Sequence, residues 1–196
     1  MKLIIVEGMD RTGKDTIIQS LYNQYHNLGV EFTSKHFKKP KNKGFLGLSE
    51  QIKTFNNAFL EDYEKRDQPG VIVYNRSYLG ECVYGPLYRN INREYFEWVW
   101  TLDKIYTDSF DDISLIILDA SPEALLKIDD GKGFWKTIEN IKNERALFLE
   151  IFSKSSIGRK ILLPTFDEMG KRIDKNELFK VIFNFINLNQ SYVKHK

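Results

Sequence analysis

Within the first 29 residues a strand must hand over to a helix across a very short connection. KLIIVEG (2–8) reads as a buried β-strand ending in Gly8, and TIIQSLYNQYHNLG (16–29) as an amphipathic helix. The helix places Ile17, Ile18, Leu21, Tyr22 and Tyr25 at helical spacing and closes on Gly29. Between them Gly8, Gly13 and Lys14 stand at the spacing G-x-x-x-x-G-K. Glycines there let the backbone N–H groups of residues 9–14 curl around an anion at a helix N-terminus, and Lys14 would reach the β and γ phosphates. The plainer alternative is a glycine turn. Spacing, lysine and strand–loop–helix context together favour the phosphate.

The rest of the chain repeats the strand–helix alternation. Strands are predicted at 30–37, 70–77, 113–121 and 159–166. Helices are predicted at about 48–66, 93–106, from Ser121-Pro122-Glu123, at 138–154 and at 174–188. About five strands alternating with helices predict an α/β fold, an open parallel sheet with helices on both faces and its ligands at the carboxyl ends of the strands. A single domain suits 196 residues. The lone cysteine, Cys82, rules out an internal disulfide and points to a reducing compartment. The apolar run Leu3–Val6 is too short for a signal sequence, and no window approaches a membrane span. A soluble cytoplasmic protein is expected, with no membrane partner. A net charge of +2 suits anionic ligands without arguing for nucleic acid.

The loop GMDRTGKD resembles the G-x-D-R-x-G-K loop of thymidylate kinases and of nucleoside and nucleotide kinases more broadly. The resemblance implies a P-loop NTPase fold of the nucleoside monophosphate kinase type, a five-stranded parallel sheet with a short lid. It implies ATP held by Gly8, Met9, Asp10, Arg11, Thr12, Gly13, Lys14, Asp15 and Thr16. It also gives Asp10 the acceptor's 3′-hydroxyl and Arg11 the phosphoryl in flight. Family members with this loop arginine tend to lack catalytic arginines in the lid. The candidate lid here, about 129–143, carries Lys132, Lys136 and Lys142 but no arginine.

VIVYNRSYLGECVYGPLYR (71–89) resembles the D-R-[YS] segment after the third strand, in a form more like viral, phage-type members. Arg76 then grips the acceptor phosphate, Tyr84 crowds the sugar in favour of 2′-deoxyribose, and Arg89 either reaches a phosphate or stays at the surface. The acceptor region spans 37–66 and 75–93. Within it Phe55 and Phe59 are candidates to stack on the base, and the basic loop KKPKNKG matches the family's acceptor loop weakly. LDASPE (118–123) resembles the segment after the fourth strand, and Glu144 and Phe148 match the lid-to-helix segment. Pro164-Thr165-Phe166 falls where the donor adenine packs in such kinases. Homodimerisation through the helix carrying Trp98 and Trp100 is likewise implied.

Two positions depart from the pattern. Asp15 replaces the Ser or Thr whose hydroxyl normally ligates Mg2+, and Asn75 replaces an aspartate that helps organise the metal. The two exchanges could compensate, with Asp15 supplying the oxygen; alternatively Asp15 only caps the first helix while Thr16 takes over at the metal. The expected activity is ATP- and Mg2+-dependent phosphorylation of a deoxynucleoside monophosphate, most simply dTMP. The nearest rival is a deoxynucleoside kinase, which needs a general base near the end of the second strand, where His36 is the candidate, read as structural. A polynucleotide acceptor lacks an aromatic-interleaved basic groove. A nucleotide-binding regulator without turnover remains the reading from another class.

Overall fold

The computed structural model describes residues 1–128 and 137–188. Five strands, β1 (Lys2–Gly8), β2 (Phe32–His36), β3 (Val71–Asn75), β4 (Asp112–Asp119) and β5 (Lys160–Pro164), form one parallel sheet in the order β2-β3-β1-β4-β5. Val6 pairs with Asn75 on one side and Ile116 on the other, and Gly8 pairs with Leu118. The connections out of β1 and β3 run to opposite sides. The crevice at the carboxyl end of β1 is therefore the topological switch point, where sheets of this kind bind ligands.

Both faces of the sheet are covered, which is why its central strands are apolar throughout rather than alternating. Leu3 and Ile5 face one core with Ile72, Tyr74, Leu115 and Ile117. That side is covered by α2 (Gly44–Tyr63), α3 (Glu81–Tyr88), α4 (Glu97–Ser109) and α6 (Ile138–Lys154). Ile4 and Val6 face the other core, with Ile17 and Leu21 of α1 (Lys14–Asn27) and Ile182 and Ile186 of α7 (Lys175–Asn187). The short α5 (Pro122–Lys127) starts where the sequence places it, with the Ser121 hydroxyl accepting from the Ala124 N–H.

Most boundaries differ from expectation by a few residues. The larger shifts have local causes. Helix α1 begins at Lys14, not Thr16, because Gly13 at φ 95 serves as its N-cap. Helix α4 begins at Glu97 because residues 93–96 form a separate 3₁₀ turn. Among the described residues, no helix is long and apolar enough to cross a membrane. Lys132, Lys136 and the lid tip DGKGFW lie outside the described residues.

Candidate active site

The loop after β1 is built to leave its anion-binding groups open. Gly13 caps α1 without a side-chain acceptor, so the N–H groups of the first turn are available to an anion. The Thr12 hydroxyl instead donates to the Met9 carbonyl at 2.8 Å, tying the loop to itself. Arg11 and Arg76 both adopt left-handed backbone conformations, with φ 65 and 67. For side chains other than glycine this costs about 1–2 kcal/mol each, and such strain concentrates at functional sites. Arg76 is held there by β1, its N–H donating to the Val6 carbonyl at 3.1 Å.

The loop and the end of β3 meet in a cleft of about 520 Å³ lined by Asp10, Arg11, Gly13, Lys14, Asp15, Thr16, His36, Asn75, Arg76 and Arg172 among others. A larger hollow, about 710 Å³, lies at the opposite ends of the strands beside Lys2, Gly70 and Asp112, away from these groups. In the cleft, Arg76 makes an ion pair with Asp10, and its guanidinium lies 5.0 Å from the centroid of the Tyr84 ring. Lys14 donates to the carbonyls of Gly8 and Met9 at 2.8 and 2.7 Å. Beneath them Glu7 is fully buried; it accepts from the Ser77 hydroxyl at 2.7 Å, and its other oxygen has no hydrogen-bond partner. Burial raises the Glu7 pKa above its ordinary value against the opposing pull of Ser77, Arg76 and Lys14.

Burial, reinforced by repulsion from Arg76, lowers the Lys14 ammonium to a pKa of about 8. A phosphate bound beside Lys14 would favour the charged form, so a nucleotide binding there at higher pH would have to take up a proton. ADP affinity is expected to be flat below pH 8 and to fall by about tenfold per pH unit above it. Calorimetric titration from pH 6.5 to 9.5 would read this directly; a flat profile would place the lysine pKa elsewhere.

Asp15 does not cap α1. Its carboxylate accepts from the Asn75 amide at 2.6 Å, so the two exchanged residues are in direct contact. Asn75 is buried, and its side-chain oxygen, Oδ1, has no partner. Asn75 turns its amide nitrogen to Asp15, which leaves the Asp15 carboxylate as the solvent-facing oxygen donor of the pair, the donor type that suits magnesium. Among the described residues, no group of three or more His, Cys, Asp or Glu side chains could hold a metal alone.

The remaining expected residues separate. Tyr84 stands beside Arg76 with its ring also against Tyr88 and Phe148. Phe55 is 1% exposed, its ring enclosed by Phe37, Tyr78 and Trp98, so neither face is open to a base. Phe59 packs with Tyr63, Tyr106 and Phe110 towards the far end of the sheet. Both rings are candidates through the resemblance alone, and their helical spacing suits a core position equally. Arg89 is engaged with both oxygens of buried Glu81 in its own helix, so it is not directed at a phosphate. His36 is solvent-exposed and lines the cleft, whereas the sequence suggested a structural histidine.

Two arginines escaped the sequence reading. Arg145, just past the assigned lid, grips Asp119 at the end of β4 with two hydrogen bonds of 2.8 and 2.7 Å. Arg172 follows β5 and donates to the Arg11 carbonyl at 2.6 Å, a contact spanning 161 positions for which no local motif exists.

No protein-family model matches the chain, and no curated protein matches it in sequence. Solved structures do match its fold. The YorR protein of Bacillus subtilis, determined in complex with phosphorylated GDP, aligns over 100% of both chains at 18% identity with a TM-score of 0.65. The thymidylate kinase of Ehrlichia chaffeensis aligns over 93% of this chain and 97% of its own at 16% identity, TM-score 0.62. For the thymidylate kinase of Candida albicans the figures are 96%, 92% and 18%, with a TM-score of 0.57. The fold is therefore that of a P-loop NTPase. Within that class it is the thymidylate kinase-like arrangement, with the phosphate loop after the central strand of five and the arginine of β3 facing it.

Proposed function

We propose that this protein is a nucleotide kinase that transfers the γ-phosphoryl group of ATP to a deoxynucleoside monophosphate, dTMP foremost, with Mg2+ as cofactor. The observation that carries the reading is the opposition, in one cleft, of an open phosphate loop bearing Lys14 and Arg11 to Arg76 paired with Asp10. Lys14 would exchange the Gly8 and Met9 carbonyls for donor phosphate oxygens, and Arg76 would exchange Asp10 for the acceptor phosphate. Asp10, thus released, could take the sugar hydroxyl. An acceptor phosphate oxygen bonds to the γ-phosphorus as the β–γ bridging oxygen leaves. The chain's part is positioning and charge neutralisation, with no covalent intermediate. Asp15 would hold the magnesium ion, which would supply positive charge to the donor phosphates, and the Asn75 amide would orient the Asp15 carboxylate.

Replacing Asp15 with Ser should raise the Mg2+ concentration needed for half-maximal turnover by about tenfold. An unchanged requirement on titrating the metal would remove Asp15 from its binding. A homodimer belongs to the same proposal, and sedimentation velocity would detect it.

The decisive assay is ADP release with ATP, Mg2+ and each of the four deoxynucleoside monophosphates, alongside thymidine and a no-acceptor control. Turnover with a monophosphate but not thymidine supports the proposal and names the base. The position of His36 in the cleft favours one second reading, a nucleoside kinase in which that imidazole accepts the 5′-hydroxyl proton. Turnover with thymidine would support it. ATP binding without turnover in any arm would indicate a regulator.

A further inference from the structure

The segment joining β5 to α7 is a tight hairpin. Phe166 and Arg172 form an antiparallel bridge, the Asp167 N–H donates to the Lys171 carbonyl at 2.8 Å, and the Gly170 N–H donates to the Asp167 carbonyl at 2.9 Å. The Asp167 carboxylate accepts from the backbone N–H groups of Met169 and Lys171 at 3.0 and 2.8 Å, and Gly170 turns the chain at φ 75. The base of the hairpin is fixed to the sheet. Buried Thr165 donates to the Asp119 carbonyl through its N–H at 2.8 Å and through its hydroxyl at 3.0 Å.

Arg172 is thus delivered on a short, fully bonded support. Its guanidinium lies 4.7 Å from the centroid of the buried Phe166 ring and donates to the Arg11 carbonyl. It also stands against Gly13, where an added Cβ would come within 3.3 Å of Arg172 Nη1. One planar group therefore spans the outer face of the phosphate loop from Arg11 to Gly13. Arg11 is the residue other than glycine there with a left-handed backbone, at φ 65. The carbonyl that Arg172 engages belongs to that residue.

We propose that Arg172 is a positioning residue that braces the phosphate loop through the Arg11 carbonyl and so fixes the backbone from which the Arg11 guanidinium, here donating to the Ile128 carbonyl at 3.4 Å, would reach the phosphoryl in transfer. The proposal rests on the kinase reading given above. Arg172 stands at the margin of the cleft but acts through Arg11, whose carbonyl it holds, and the planar, multidentate guanidinium suits that better than an ammonium would.

Arg172→Ala should lower kcat by about 30-fold, while the dissociation constant for ADP and the acceptor KM change by less than about threefold. Arg172→Lys should recover only part of the loss, and Lys171→Ala, a neighbour in the same hairpin, should leave kcat unchanged. In an Arg11→Ala background the Arg172→Ala change should cost less than about threefold, because the group it positions is gone. Full additivity of the two substitutions, or a kcat within threefold of the parent, would overturn the proposal. Amide hydrogen exchange supplies a readout independent of turnover. Arg172→Ala should speed exchange across residues 10–14 by about tenfold and leave β1 and the middle of α1 unchanged. Were the parent protein to show no turnover with any acceptor, the kinase reading would fail, and the exchange arm would still decide the brace. Unchanged protection of the loop would refute it.

Discussion

Arg76→Ala should lower kcat/KM for the acceptor by about 10³-fold, equivalent to about 4 kcal/mol, with ADP affinity within about threefold of the parent. The guanidinium follows directly on β3 and faces the phosphate loop, where it pairs with Asp10 and lies over Tyr84. Removing it leaves Asp10 and the buried Glu7 without a cation whose field they share. Lysine should not restore the rate, because an ammonium cannot reproduce a planar fork held over a ring. A second readout comes from Lys14. Repulsion from Arg76 helps to lower its pKa, so the alkaline fall in ADP affinity should move to higher pH in the alanine variant. An acceptor kcat/KM within threefold of the parent would take Arg76 out of the acceptor site.

Gly8→Ala should destabilise the fold by at least about 3 kcal/mol and abolish measurable nucleotide binding. Gly8 has φ 138, a region that side chains rarely adopt, and an added Cβ would overlap the Leu118 carbonyl oxygen of β4 and press on Thr12 Oγ1. Neither obstacle can move cheaply. The first is backbone in a central, fully paired strand, and the second ties the loop to Met9. Chemical denaturation together with ADP calorimetry would test both parts. A variant of parental stability that still binds ADP would show that the loop tolerates a side chain where β1 ends. Gly29→Ala is the useful contrast. Its φ of 68 is also positive, yet no atom lies within 4 Å of an added Cβ, so only the backbone cost applies, about 1 kcal/mol.

What could be read from residues in order was what depends on neighbours in order. The strand–loop–helix junction, the caps at Gly29 and Ser121 and the all-apolar central strands each rest on backbone geometry or on burial from both sides. They foretold a parallel sheet and the place of the phosphate loop. Periodicity could not tell a ring that lies on a cleft from one that lies in a core, since both face inward. The resemblance makes Phe55 and Phe59 candidates to stack on the base, yet Phe55 lies in the aromatic core and Phe59 packs against it. Arg89 looked free because its partner, Glu81, becomes a partner only when α3 forms and buries it.

The sequence by itself determined the alternation, the loop and the two exchanges at positions 15 and 75. Only the tertiary structure decided that Asp15 and Asn75 touch, that Arg76 stands over Tyr84 and pairs with Asp10, and that Arg172 reaches Arg11. Those contacts span 60, 66 and 161 positions for the Asn75–Asp15, Arg76–Asp10 and Arg172–Arg11 pairs. They exist because parallel pairing sets the ends of β1, β3 and β5 along one edge of the sheet, and strand order is a property of packing that no local pattern records.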